Sequence, residues 1–286
     1  MTIPRDFTTI SPSAKSLLLM KGYTPIPFAR QAAEWMLSPV PYEPDYSKKD
    51  VTFWARLVHF ESRYRAVDQL LAGLDARNVL ELSSGFSFRG LEAVQKSECH
   101  YIDTDLPEVI TLKKEFITAL RSDNEQPGKL ELIALNALEE VNFLEVVSHF
   151  PGGEVTIVNE GLLMYLDTRE KMKLCSIIRK VLEKRGGYWI TADIYVKGRN
   201  EKAGLKLDKQ TEAFFEYHRI EENKFDSFED ARAFFREMGF VVEAEASVNR
   251  KSISSMKYLF KNIGILKLLR LMKAGKIHAS WRLKLA

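Results

Sequence analysis

Cysteine is scarce in this chain of 286 residues, and acidic side chains are missing altogether after Glu245. The two cysteines, Cys99 and Cys175, are too few for a disulfide framework and have no metal-ligand spacing around them. They read as buried free thiols, since Cys packs as a small hydrophobe, and they point to a cytoplasmic protein. No stretch approaches the roughly 18 apolar residues that a membrane span requires. The opening "MTIPRDFTTISPSAK" lacks a basic segment followed by an apolar core, so no signal peptide is expected. H-E-x-x-H, G-x-S-x-G and P-loop patterns are also missing, which argues against zinc enzymes, serine hydrolases and kinases.

What is present is an ordinary globular composition, 45% hydrophobic and 28% charged, with an uneven distribution of charge. Up to Glu245 there are 32 basic and 39 acidic residues, a net −7. Beyond it ten Lys and Arg stand unopposed. A basic tail suits an anionic partner such as nucleic acid or a membrane surface. No RNA-binding motif accompanies it, and Lys257, Lys261, Lys267, Arg270 and Lys273 do not gather on one helical face. The segment is therefore expected to be a helical insertion, residues 247–275, that either covers a pocket for a small-molecule or peptide acceptor, anionic in one reading, or is a solvated helix that merely joins the last two strands.

From residue 78 strand and helix patterns alternate. Short apolar runs bounded by turns mark strands at Asn78–Leu82, Cys99–Asp103, Leu130–Ala134, Glu154–Asn159, Tyr188–Asp193 and Phe240–Ala246. Helical spacing marks Leu91–Lys96, Leu106–Arg121, Leu138–Phe150, Thr168–Lys184 and Phe228–Met238, with Gly186-Gly187 ending the fourth. Such alternation predicts a parallel sheet covered by helices on both faces. In Lys276–Leu285 the apolar residues Ile277, Ala279, Trp281 and Leu283 fall at every second position, a strand period, which predicts a last strand returning antiparallel. Residues 1–75 read as a helical extension with a proline-broken connector, "SPVPYEP". Without internal repeats or a linker, the chain reads as one domain.

In an open parallel sheet, ligands bind beyond the carboxyl ends of the strands. "NVLELSSGFSFRG" ends the first strand abruptly: Gly85 permits close approach, and Ser83 and Ser84 keep the turn small. "YIDTDLP" ends the second, and its Asp105 lies 20 residues after Gly85, where an acid can accept both hydroxyls of a ribose. The pair predicts a nucleoside-containing cofactor. A dinucleotide would want G-x-G-x-x-G, but those positions hold Ser83, Gly85 and Phe88, and a phenylalanine at the third suits pyrophosphate poorly. S-adenosylmethionine carries no phosphate and needs only a small turn and a ribose acceptor, so it is favoured.

Five segments carry a resemblance: "SAKSLLLMKGY", "FWARL", "LELSSG", "YIDTDLP" and "NEGLLMYL". In this order they resemble the motifs of class I S-adenosylmethionine-dependent methyltransferases of the leucine carboxyl methyltransferase type, which include many bacterial small-molecule O-methyltransferases. The resemblance implies an α/β, Rossmann-like seven-stranded methyltransferase sheet, mostly parallel with the last strand antiparallel, and S-adenosyl-L-methionine as cofactor. It implies Lys15 and Arg56 near the cofactor carboxylate, Asp105 on the ribose and Glu160 beside the methionine portion. Glu81, Ser83 and Gly85 belong to the implied first turn, and Asp103 to the acidic run. Two departures stand out. Ser83 replaces the first glycine of the turn, so a shallower cofactor or a shifted backbone is expected. Asn136, beside Ala137, stands where the family often has an acid for the adenine amine, and its amide oxygen can accept the same bond.

Methyl transfer is an in-line displacement, for which the protein aligns nucleophile and methyl and keeps water away. A carboxylate acceptor needs no base; a hydroxyl benefits from one. Glu160, Tyr165 and His218 are the candidate catalytic residues, His218 as base because it falls between strands five and six. His59 and His149 have no better claim in sequence, and Arg63 and Arg65 read as surface partners of nearby acids. Two other readings remain open: an NAD(P)-dependent oxidoreductase, and an inactive methyltransferase-like binding protein with a basic tail.

Overall fold

The structure, a computed structural model, describes residues 11–47, 49–121, 125–198, 209–264 and 275–286. Seven strands form one sheet in the order β3-β2-β1-β4-β5-β7-β6. The strands are β1 (Asn78–Leu82), β2 (His100–Asp105), β3 (Lys129–Ala134), β4 (Val155–Asn159), β5 (Gly187–Tyr195), β6 (Phe240–Glu245) and β7 (His278–Leu285). The first five run parallel, and β7 lies antiparallel between β5 and β6. This is the mostly parallel, seven-stranded sheet that the sequence predicts. Every residue of β1 and of β4 is buried, as expected for central strands covered on both faces.

The helices among the described residues are α1 (Ser11–Lys21), α2 (Ala29–Leu37), α3 (Val51–Ala72), α4 (Arg89–Lys96), α5 (Pro107–Leu120), α6 (Glu140–Ser148), α7 (Thr168–Arg185), α8 (Lys209–Tyr217), α9 (Phe228–Glu237) and α10 (Met256–Asn262). Their ends follow local chemistry. Asp50 caps α3 by accepting from Phe53 N at 2.8 Å. Asp167 and Glu170 make a reciprocal capping box at the start of α7. Gly187, at φ +101°, follows that helix; a Cβ there would lie 2.2 Å from Val155 O, so only glycine lets the chain enter β5 beside β4.

Helix α4 begins two residues earlier than the periodicity suggested. Its close approach to the sheet comes from Gly90, where a Cβ would meet the Tyr101 ring at 2.7 Å. The neighbouring Phe88 is buried edge-on against Phe28 and Phe116. Strand β2 runs two residues further than expected, ending at Asp105, which pairs with Ala134. Cys99 precedes that strand; both cysteines are buried and free.

Strand β5 also outlasts its expected end at Asp193. Beyond the reach of β4 it gains a partner in β7, with Ile194 opposite Ala279 and Tyr195 opposite His278. Trp281 and Leu283 of β7 enter the core with Trp189, Phe235 and Phe240. Burying each such side chain stabilises the fold by roughly 1.5–3 kcal/mol.

Helix α3 lies along β5 and β7 and holds the segment after β6. Glu61, completely buried, accepts from Ser254 N (2.8 Å), Ser255 N (2.9 Å) and Ser255 Oγ (2.7 Å). Trp54 stacks on Tyr258 of α10 with ring centroids 4.7 Å apart. The rest of the expected basic insertion, including Lys267, Arg270 and Lys273, lies outside the described residues.

Candidate functional site

At the carboxyl edge of the parallel strands a cavity of about 1040 Å³ opens between the strand ends, α1, α3 and the segment after β6. Its floor is the turn after β1. Ser83 and Gly85 both adopt left-handed conformations at φ +50°, so a serine here holds a backbone shape that favours glycine. For a non-glycine residue this costs about 1–3 kcal/mol. The turn is fixed from beneath. Ser84 N donates to Thr104 O at 2.9 Å, and the fully buried Lys113 bonds Ser84 Oγ at 2.9 Å while pairing with Asp103 at 2.8 Å.

Asp105 closes one side. One carboxylate oxygen accepts from Gly85 N and the other from Leu106 N, each at 2.7 Å. Burial raises its carboxyl above the ordinary range, opposed by these two N–H bonds. Each oxygen accepts one bond there and has capacity for another, a geometry suited to two adjacent hydroxyls.

Opposite lies Glu160, after β4. Its Oε1 accepts from Lys21 Nζ at 3.2 Å and Arg63 Nε at 3.1 Å, and its Oε2 pairs with Arg89 Nη2 at 3.3 Å. All four side chains are at most 6% exposed. Arg89 also binds Glu81 at 2.7 Å and Asp68 at 3.0 Å, and lies over the Tyr64 ring. Burial alone would raise the Glu160 carboxyl, but the three cations outweigh it and hold it well below the usual range. Asp193 shapes the loop that carries Glu160: it accepts from Gly161 N and Leu162 N at 2.7 Å, from Leu163 N at 3.2 Å and from Asn159 Nδ2 at 2.6 Å.

Of the residues singled out in the sequence, Arg56, Glu81, Ser83, Gly85, Asp105, Asn136, Ala137, Glu160 and Tyr165 line this cavity. Asn136 Oδ1 accepts from Leu138 N at 3.1 Å, so part of its acceptor capacity shapes its own loop. Three others are placed elsewhere. Lys15 lies on the exposed face of α1, and Lys21 from the end of that helix enters instead. Asp103 sits beneath the turn with Lys113. His218 is buried behind Tyr165, packed on Phe214 with ring centroids 4.5 Å apart.

Arg63 corrects the surface reading: it is 4% exposed and spans Glu160 and Tyr195. Arg65 does pair at the surface, with Asp68. The cavity's histidines are His59 and His278. Arg56, His59 and Arg63 fall at intervals of three and four along α3, a helical-face signal that was present in the sequence. Lys21 and Arg89 had no such signal, because only tertiary packing aims them at one carboxylate. Among the described residues no cluster of His, Cys, Asp or Glu could hold a metal ion.

No protein-family model matches the sequence, and no curated protein matches it. Solved structures do match. A DUF574 family protein from Streptomyces avermitilis is 14% identical, with 96% of this chain and 97% of that one covered and a TM-score of 0.55. The likeness is one of fold. Magnesium protoporphyrin IX methyltransferase from Synechocystis, solved with SAH bound, is 10% identical over 95% of this chain and 100% of that one, at a TM-score of 0.49. LepI in complex with SAM is 10% identical over 92% of this chain, at a TM-score of 0.45. The chain spans about half the length of LepI and of a pericyclic reaction enzyme, 53% and 47%.

Proposed function

We propose that the chain is an S-adenosylmethionine-dependent methyltransferase acting on oxygen, a carboxylate or a hydroxyl, of a small-molecule or peptide acceptor. The observation that carries this reading is one cavity with a diol acceptor, Asp105, on one side of the Ser83–Gly85 turn and a buried cation cluster around Glu160 on the other. A zwitterionic amino-acid group fits the cluster. Lys21 and Arg63 would take its carboxylate, Glu160 its ammonium, Asp105 the ribose, and the Asn136–Ala137 loop the adenine. When bound, the cofactor supplies a methyl group on a positively charged sulfur. The fold likeness to the Streptomyces protein is compatible with this reading, and two of the other matched proteins were solved with SAM or SAH.

The protein's share is alignment and exclusion of water. Met256 and Leu259 of α10 line the cavity, which supports a closing role for the segment after β6 within a single methyltransferase domain. The buried free cysteines support a cytoplasmic setting. Pyrophosphate finds less room: Phe88 fills the position of the third dinucleotide glycine. A ligand at 100 times its Kd stabilises the native state by about 2.7 kcal/mol. S-adenosylhomocysteine is therefore expected to raise the melting temperature by several degrees and NAD to leave it unchanged. The reverse pattern refutes the reading.

A further inference from the structure

Beyond Glu160 the cavity continues to a cluster that the cofactor reading leaves unused. His59 from α3, Tyr195 from the end of β5 and His278 from the start of β7 meet there, each lining the cavity. His59 Nε2 and Tyr195 Oη are 2.8 Å apart, and Arg63 Nη1 donates to the same Oη at 3.0 Å. His278 Nε2 bonds Ala192 O at 2.7 Å, so it carries the proton at that nitrogen, and its ring stands edge-on to His59 at 5.2 Å.

A guanidinium only donates, so Tyr195 Oη accepts from Arg63. With His59 in its Nδ1–H tautomer, the Tyr195 hydroxyl hydrogen is directed to His59 Nε2, and a second lone pair of Oη remains for a hydroxyl entering from the cavity. We propose that Tyr195 and His59 form a proton relay, and that the acceptor is therefore an alcohol or phenol on an apolar body rather than a carboxylate. This rests on the methyltransferase reading above.

The step balances. The acceptor oxygen takes the methyl group from sulfur as the carbon–sulfur pair stays on sulfur. Its proton passes to Tyr195 Oη while Tyr195 gives its own to His59 Nε2, and His59 later releases the proton to solvent. Positive charge leaves the sulfonium as it appears on the imidazolium, so the cavity's net charge is unchanged through the transfer. An ionised carboxylate has no proton to give, and the relay would do nothing for it.

The protonation states agree with this assignment. Burial, then His278 and Arg63, holds His59 well below the ordinary histidine value, so it is neutral and able to accept. Burial lifts the Tyr195 hydroxyl to about 12, so it keeps its proton until the transfer. His278 is pushed down by burial to about 4 and adds no charge at neutral pH. The charged groups that face His59 are Arg63 on its own helix, Glu160 after β4 and Lys224 before α9, the last paired with Glu221. Phe214, Leu259 and Phe260 supply the apolar wall.

Two bifunctional probes test the proposal, 4-hydroxybenzoate and 4-(hydroxymethyl)benzoate, each offering a hydroxyl and a carboxylate to the protein and a deuteromethyl-labelled donor. Cofactor binding is measured first by calorimetry; its failure sinks the methyltransferase reading. With binding established, label in the ether of either probe is expected, whereas label in an ester, or none in either probe, overturns the relay. Tyr195→Phe and His59→Gln are expected to lower kcat by about 10²-fold or more with cofactor Kd within threefold. Their rates should then rise tenfold per pH unit, while the wild-type rate is flat above an acid limb below pH 6.5. Unchanged kcat and pH profile in both variants overturn the assignment. In the cofactor-free protein, ¹⁵N NMR should show His59 Nε2 as an unprotonated acceptor whose shift moves in Tyr195→Phe; a protonated Nε2 overturns the direction of the relay.

Discussion

Replacing Glu160 by glutamine removes one negative charge from among three buried cations and keeps the side chain's shape. Lys21 and Arg63 converge on Oε1, and Arg89 on Oε2 at 3.3 Å. The amide can present its oxygen to the first pair only by turning its NH2 towards Arg89, donor against donor. Glu81 remains as a fully buried counter-ion, and Asp68 at 31% exposure is screened. Breaking a buried ion pair by removing one partner costs about 3–5 kcal/mol, a large part of a typical total of about 5–15 kcal/mol. At roughly 2–4 °C per kcal/mol, the melting temperature should fall by about 6–20 °C at pH 7. The effect has a defined pH dependence. Glu160 is held below the ordinary glutamate value of 4.5, so its stabilisation is complete above that pH and is lost as pH falls towards the folded value. Thermal unfolding of both proteins between pH 3 and 8 should therefore show a gap that is constant above about pH 5 and closes below it. A melting temperature within 2 °C of wild type at pH 7 would refute the argument that this carboxylate is what neutralises the cluster.

Asp105→Asn swaps one acceptor oxygen for a donor, leaving either Gly85 N or Leu106 N opposed and one hydroxyl unmatched; calorimetry should show cofactor affinity at least about tenfold weaker, since a bond to a charged group is worth about 1.5–3 kcal/mol. Lys21→Met should weaken the cofactor by a similar factor and Lys15→Met by less than twofold, and equal effects would contradict the placement of α1. Glu61→Gln removes the charge that binds Ser254 and Ser255, so limited trypsin digestion should cut at Arg250, Lys251 or Lys257 several times faster than in wild type; equal rates would show that this carboxylate does not hold the segment.

The sheet was legible because central parallel strands such as β1 must be apolar on both faces, whereas β7 places Ala279, Trp281 and Leu283 at every second position. The turn and Asp105 were legible because they lie within short, contiguous motifs. The cation cluster was not. Lys21, Arg63 and Arg89 come from three helices, and their convergence on Glu160 depends on how those helices pack. Arg63 looked like a surface partner because acids flank it in sequence, yet Asp68 is paired by Arg65 and Arg89, not by Arg63. His59 and Tyr195 were hidden for a related reason: β5 extends to Tyr195 by pairing with β7, a strand 83 residues further on at His278. His218, attractive from its place in the chain order, belongs to the wall behind Tyr165.

In the proposed function one cavity holds S-adenosylmethionine with its ribose at Asp105 and its amino-acid end at Glu160. A crystal structure of the protein soaked with S-adenosylhomocysteine tests it most directly. Ribose hydroxyls are expected within hydrogen-bond distance of both Asp105 oxygens, with the ligand's carboxylate against Lys21 and Arg63. Ligand density elsewhere, or in this cavity with the ends reversed, would contradict it.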